Sequence, residues 1–251
     1  MQHNDNALHF SKLKNIADSP FHFKFFEDDE RDDTDDFVTG RAVHRGWLLG
    51  EKLTAWKGKR QGAEYRQAVE ENDGDSLLTE TMLANAELMV SALLGSYDAN
   101  RLLLHAPNRE TPMVWTRRGI KCAGRSDAYG KDVLIELKTA KNAAPRAFQW
   151  QGKTLGYREQ LSWYDVGLGT IPDPLESRWR ENYVVAVGKS KPWPVSIHRV
   201  SPLAMQQANA RVDEWLDTYQ ACVASGKWPD WDAEIRDWDA DVEYHGDDDD
   251  D

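Results

Sequence analysis

The stretch "GRSDAYGKDVLIELKTAK", residues 124–141, sets Asp127 ahead of a turn-forming Gly130 and an apolar run that ends in Glu136 and Lys138. Along an extended chain successive side chains point to opposite faces. Leu134, Glu136 and Lys138 therefore share one face, and Val133, Ile135 and Leu137 the other. A hairpin around Gly130 returns Asp127 towards Glu136, so that two carboxylates and an ammonium converge. Carboxylate oxygens suit a hard divalent ion such as Mg²⁺, with water and substrate phosphate filling the rest of its shell. A neighbouring lysine can orient the attacking water or stabilise charge developing on phosphorus. The spacing alone describes a charged hairpin with a cross-strand ion pair equally well.

Outward from this run the elements follow from periodicity. "RLLLHAPN", "TPMVWTRRG" and "IKCAGRSDAYG" are runs of strand length punctuated by Pro and Gly, and predict a hairpin-rich sheet from residue 101. Before them the chain reads as helical: a short helix capped by Ser11 and stopped at Pro20, a helix within 36–58 carrying His44 and core-facing Phe37, and helices over 62–72 and 78–96. After them, 148–168 reads as a helix through Leu155, Leu161, Tyr164 and Leu168, and "NYVVAVGKSKPWPVSIHRV" as two strands around a turn. A last helix starts with Ser201 as cap and Pro202 at its first position, and ends before Gly226. The expected fold class is α/β, a central mixed sheet flanked by helices with a helical N-terminal third. It is expected as one domain over 1–231 (helical part 8–96, sheet and helices 101–226), followed by an acidic tail, 232–251.

Composition narrows the function. The 251 residues carry a net charge of −12, which argues against contact with phosphates. The distribution weakens that objection: eight of the 43 acids lie in 27–36 and five in 247–251, leaving 30 acids against 30 bases elsewhere. A basic groove beside an acidic metal site is compatible with that remainder, and the acidic runs read as solvated segments. Cys122 and Cys222 cannot furnish a disulfide framework, a cysteine zinc site or a four-cysteine iron–sulfur cluster. No apolar run approaches the roughly 20 residues of a membrane span. "MQHNDNALHF" has neither the basic start nor the apolar core of a signal peptide, so a cytoplasmic location is expected. The "GKS" at 188–190 lacks the earlier glycine of a phosphate-binding loop, and the eleven tryptophans are scattered without a repeat, as core residues are.

In this setting "SDAYGKDVLIELKTAK" resembles the core of the PD-(D/E)xK nuclease superfamily: an aspartate, a hairpin, then an apolar strand ending in acid-x-Lys. Further matches lie in order. "TGRAVHRGWL" resembles the Gly-x-Ala-x-His helix of the RecB-like and RecE-like branch, and "GYREQLSWYDVGL" its Tyr-x-x-Gln-x-x-x-Tyr helix. "YVVAVGKSKPWPVSIHRV", the leading "FSKLKNIADSPFHFKF" and the closing "SGKWPDW" are similar to the branch's hairpin, start and tail, so the likeness spans most of 8–231. It implies Asp127, Glu136 and His44 as ligands of Mg²⁺ or Mn²⁺, with the main-chain carbonyl of Leu137 as a further ligand. Lys138 is implied as the catalytic lysine, with Gln160 and Tyr164 lining the groove. Tyr157, Arg125, Lys141, Lys153 and Arg158 are the side chains that could contact substrate, and Glu87 is a weaker candidate for the helix acid of some relatives. Ser126 stands where the superfamily's name puts proline.

The activity so implied is that of a RecE-like deoxyribonuclease. It would digest linear duplex DNA from 5′ to 3′ as a ring-like oligomer, beside a single-strand annealing partner in phage or prophage recombination. A RecB-like nuclease acting on single strands or flaps, and a silent binding module on a nuclease fold, remain open alternatives.

Overall fold

A computed structural model of the protein describes residues 7–25, 34–72, 76–171 and 180–231. The chain opens with a two-residue strand β1 (Leu8–His9), a turn of helix α1 (Phe10–Leu13) running into a 3-10 turn (Lys14–Ala17), and α2 (Pro20–Phe25). Then come α3 (Asp35–Leu48), α4 (Ala63–Glu71), α5 (Glu80–Gly95) and α6 (Tyr97–His105). A meander of β2 (Asn108–Arg117), β3 (Ile120–Tyr129) and β4 (Val133–Ala140) follows, then α7 (Pro145–Leu155) and α8 (Tyr157–Leu168). The described chain closes with β5 (Glu181–Gly188), β6 (Val195–Val200) and α9 (Pro202–Ser225).

The strands form one mixed sheet in the order β1-β3-β4-β5-β6, with β2 on the far edge of β3. β4 and β5 run parallel, and the crossover between them contains α7 and α8, as parallel neighbours require. The alternation of β4 divides two cores. Val133, Ile135 and Leu137 pack with α3, α5 and α6 through Val43, Met89 and Leu102. Leu134 packs on the opposite face with Leu161 and Trp163 of α8 and Leu216 of α9. Glu136 and Lys138 share the face of Leu134, and so point at α8.

One irregularity of the sheet creates the site. β3 pairs with β4 only at Ala128 and Tyr129, and further back with β1 at Cys122 and Ala123. Between these contacts β3 and β4 part, and the Asp127 carboxylate enters the gap, where its Oδ2 accepts the Leu137 N–H at 2.7 Å. A side chain thus replaces a ladder bond, which keeps a buried backbone donor satisfied.

Four local expectations are corrected. The run 101–107 is the end of helix α6 and its exit, and the strand β2 begins only at Asn108. Ser96 caps that helix by accepting from the Ala99 N–H, and of its leucines Leu102 is buried while Leu104 is 83% exposed. Residues 148–168 form two helices because Gly156, at φ +73°, is the left-handed end of α7, a conformation that costs glycine little. Ser11 lies inside α1, which has no side-chain cap, whereas Ser19 accepts the His22 N–H at the start of α2. Phe37 is exposed, and Val38 takes the core position.

Of the acidic stretch 27–36, residues 27–33 lie outside the described residues. Asp35 and Asp36 open α3, where they favour the positive end of the helix dipole and pair with Arg60 and Lys189. The tail 232–251 also lies outside the described residues.

Gly130, which closes the β3–β4 turn through its N–H to the Val133 carbonyl (2.9 Å), abuts α6 so closely that a Cβ would collide with the main-chain carbonyl of His105. Backbone cannot rotate aside as a side chain can. Gly130→Ala is therefore expected to destabilise the protein by about 3 kcal/mol, read as a lower denaturant midpoint. A midpoint shift worth less than about 0.5 kcal/mol, the range of an ordinary surface substitution, would show that α6 yields at no cost.

Candidate active site and metal centre

Three strands and two helices supply the site. α3 carries His44, β2 Glu110, β3 Asp127, β4 Glu136 and Lys138, and α8 Tyr157, Gln160 and Tyr164. α3 approaches β4 closely at Gly40, where a Cβ would stand 3.3 Å from Thr139 Oγ1. Gly124 of β3 likewise makes room for the ring of Tyr164, which a Cβ would meet at 2.7 Å.

Glu110 escaped the reading of the sequence. β2 and β3 turn through Arg118 and Gly119, both at positive φ (+52° and +78°), the two-residue hairpin that suits strand twist. Counting back equally from this turn puts Glu110 opposite Asp127. Its backbone is itself left-handed, at φ +44°, a sparsely populated conformation of the kind that gathers at functional sites. The side-chain alternation breaks at the same level: Met113 and Trp115 face the α8 core, whereas Ala128, opposite Arg109, faces the α3 core. Next to it, Arg109 gives Nε to the Leu48 carbonyl (3.2 Å) and an Nη to the Leu103 carbonyl (2.6 Å). One guanidinium so ties the ends of α3 and α6 to the strand that carries Glu110.

The acidic groups converge on one point. His44 Nδ1 lies 3.4 Å from Glu110 Oε1 and 3.6 Å from Asp127 Oδ1. Ligand atoms of these three residues lie within 4.8 Å of one another and could hold a metal ion. Glu136 Oε1 accepts from Lys138 Nζ at 2.6 Å, and its Oε2 is buried with no hydrogen-bond partner among the described residues. A buried carboxylate oxygen left unpaired is costly, and a cation in the gap would relieve it. The donors are an imidazole and carboxylate oxygens, a set that fits a divalent ion of the Mg²⁺ or Mn²⁺ kind.

Burial raises Asp127 above the usual carboxylate range, and the attraction of His44 and Lys138 only partly offsets it. Burial, then the neighbouring Asp127, pushes Glu136 up to about 7 against the pull of Lys138. Burial works against the charged forms of His44 and Lys138, but the surrounding carboxylates outweigh it and raise both. What these shifts share is a set of carboxylates and cations packed closely together out of water.

Lys138 is held on three sides. Besides Glu136 it donates to Gln160 Oε1 at 2.9 Å, and its Nζ lies 5.0 Å from the centre of the Tyr157 ring. Gln160 in turn donates to the Tyr164 hydroxyl at 3.0 Å, so that one chain of bonds runs from Glu136 to α8. Of the remaining candidates, Arg125 stands at the rim, 3.7 Å from Glu110. Arg158 lies beyond Tyr157 in a neighbouring cleft, Lys141 is exposed just after β4, and Glu87 is exposed on α5.

With this geometry in view, comparison with known proteins decides the family. The model of the "PDDEXK-like domain of unknown function (DUF3799)" matches residues 9–236. The chain belongs to this PDDEXK-like family. Among solved structures, a protein from Eubacterium rectale provisionally named an exonuclease is similar over 90% of this chain and 85% of its own, with a TM-score of 0.61 at 14% identity. That likeness establishes the family's fold here. A phage-related exonuclease from Haemophilus somnus 129PT aligns over 88% of this chain and 96% of its own, at 15% identity and a TM-score of 0.39, too low to add to the comparison. No curated protein matches the chain. Among the described residues, no helix is long and apolar enough to cross a membrane.

Proposed function

We propose that the chain is a metal-dependent deoxyribonuclease acting from the ends of linear duplex DNA. Its site would take Mg²⁺ or Mn²⁺ on Asp127, Glu136, His44 and Glu110. The observation that carries the reading is a lysine fixed by Glu136 and Gln160 beside a group of His44, Glu110 and Asp127 whose ligand atoms could hold a metal ion. A divalent ion so placed would supply an activated water and neutralise charge on the phosphate. Lys138 presents its ammonium to the phosphoryl oxygens, Gln160 and Tyr157 hold that ammonium in place, and Tyr164 anchors Gln160. The Leu137 carbonyl is a candidate further ligand, because the N–H and C=O of one strand residue face the same edge and this N–H faces Asp127.

The finer reading, 5′-to-3′ digestion by a ring-like oligomer working with a single-strand annealing protein in phage-type recombination, draws on the RecE-like motifs around His44, Gln160 and Tyr164. The test is release of nucleotides, with Mg²⁺ or Mn²⁺, from linear duplex labelled at either end, beside closed circular and single-stranded DNA. Preference for the linear duplex is expected. Preference for single strands or flaps would favour the RecB-like alternative, and no hydrolysis of any of them would overturn the enzyme reading in favour of a binding module.

Glu110 gives a sharper prediction. Glu110→Gln keeps the shape and removes the charge, so the metal concentration for half-maximal hydrolysis should rise about 10-fold, at the low end of what supporting groups at metal sites contribute. Unchanged metal dependence would take Glu110 out of the metal centre.

A further inference from the structure

Beyond Tyr157, on the same face of the sheet as Glu136, lies a cleft of about 350 Å³ between α7 and the strands β5 and β6. The strand registers locate it. Glu136 pairs with Val184 and Val184 with His198, so a straight row crosses the sheet from the acidic site to the cleft. Two strand spacings of about 4.8 Å put the His198 backbone roughly 10 Å from that of Glu136.

The lining is unlike the rest of this acidic chain. Arg146, Lys153 and Arg158 border the cleft, and among the described residues no acid does. The Arg158 Nε is buried without a hydrogen-bond partner among the described residues, and guanidinium groups bind phosphate oxygens in pairs. Aromatic side chains line the same cleft, and Trp150 shares the face of α7 that carries Arg146 and Lys153. Phe148 stacks on His198 with ring centres 4.9 Å apart, Phe148 meets Tyr157 at 5.6 Å, and Trp150 stands at the mouth, 53% exposed. The volume falls within the range of about 300–1,000 Å³ usual for small-ligand pockets.

We propose that this cleft is a nucleotide subsite, which takes an unstacked base against Trp150 and the adjoining phosphate on Arg158, Arg146 and Lys153. It rests on the nuclease reading for its occupant, a strand of DNA passing from the acidic site. Inside a duplex both faces of a base are covered by its neighbours, so the proposed strand, which continues from the acidic site into the cleft, is single there. Tyr157 serves both places, with Lys138 over its ring and the cleft beside it.

The experiment measures anisotropy of a fluorescein-labelled single-stranded oligonucleotide of about one dozen residues, without metal so that nothing is cleaved. An abasic version of the same length serves alongside. Trp150→Ala should weaken the normal oligonucleotide about 10-fold, within the range of one lost base stack, and leave the abasic one unchanged. Trp150→Phe should restore the normal affinity, and Arg158→Ala should weaken both. Wild-type affinities in both alanine variants would overturn the proposal. Free dAMP as competitor distinguishes the sources: competition that Trp150→Ala abolishes would assign the cleft to a free nucleotide and overturn the strand assignment, while competition by oligonucleotide alone supports it. Hydrolysis by the wild-type protein is measured separately. A hydrolysing protein with unaffected variants loses the subsite and keeps the nuclease, and a non-hydrolysing one with weakened variants does the reverse.

Discussion

Lys138→Ala should abolish hydrolysis, with a fall of roughly 10³-fold or more, the scale lost when a charge-stabilising donor is removed from a reaction centre. The Nζ sits between Glu136 and Gln160 at 2.6 and 2.9 Å, and the surrounding carboxylates keep it charged despite its burial. It is placed as a cation waiting for negative charge, and no other ammonium shares its position among the described residues. The fold loses something too, because truncation leaves Glu136 buried without its partner. Lys138→Met, which retains the stem, separates the two effects: it should recover stability while activity stays lost. Metal-induced stabilisation should survive in both variants, since the proposed ligands are untouched. Turnover within about 10-fold of wild type in Lys138→Met, the bottom of what positioned acid–base groups give, would remove the lysine from the reaction and leave it as an ion-pair partner only.

Much of this was legible in the sequence because it is local. Period-two alternation in "DVLIELK" fixes which residues face which core, and the structure divides them as alternation predicts. Ser201, Pro202 and Gly226 frame α9 through the backbone chemistry of caps, independent of distant contacts. The failures have a common cause in tertiary context. A two-residue strand such as β1 has no period to read, and it exists because the parting of β3 from β4 leaves an edge to fill. Leu102–Leu104 look like a strand core until it is known that only one side of them meets β4. Glu110 was hidden twice, by a register that a two-residue turn sets at a distance and by a backbone flip that no propensity favours. The turn was the available signal: "RRGI" carries the glycine that such a hairpin needs, and equal counting from it reaches Glu110 and Asp127 together.

Asp127→Asn should separate what the site contributes to stability from what it does for activity. The amide oxygen can still accept the Leu137 N–H that Asp127 accepts at 2.7 Å, so the gap between β3 and β4 keeps its shape. What disappears is a buried charge whose raised pKa says that His44 and Lys138 do not make up for its desolvation. Without metal the wild-type protein carries a related cost at Glu136. Its folded value, about 7, lies above the ordinary 4.5, so between these limits the folded state holds a proton that the unfolded state has released. Stability from this group is therefore full below pH 4.5 and falls as pH rises to about 7. Removing the neighbouring Asp127 charge should shrink that fall, and at pH above 7 the metal-free variant should melt a few degrees higher than the wild type, consistent with about 1 kcal/mol. The metal response should run the other way. At about 100-fold excess over its dissociation constant an ion binding only the folded state adds about 2.7 kcal/mol, so Mg²⁺ or Mn²⁺ should raise the wild-type Tm and leave Asp127→Asn almost unmoved, with hydrolysis lost. A variant that melts far below the wild type yet still responds fully to metal would make Asp127 a structural counter-ion of His44, and would move the metal centre onto Glu110 and Glu136.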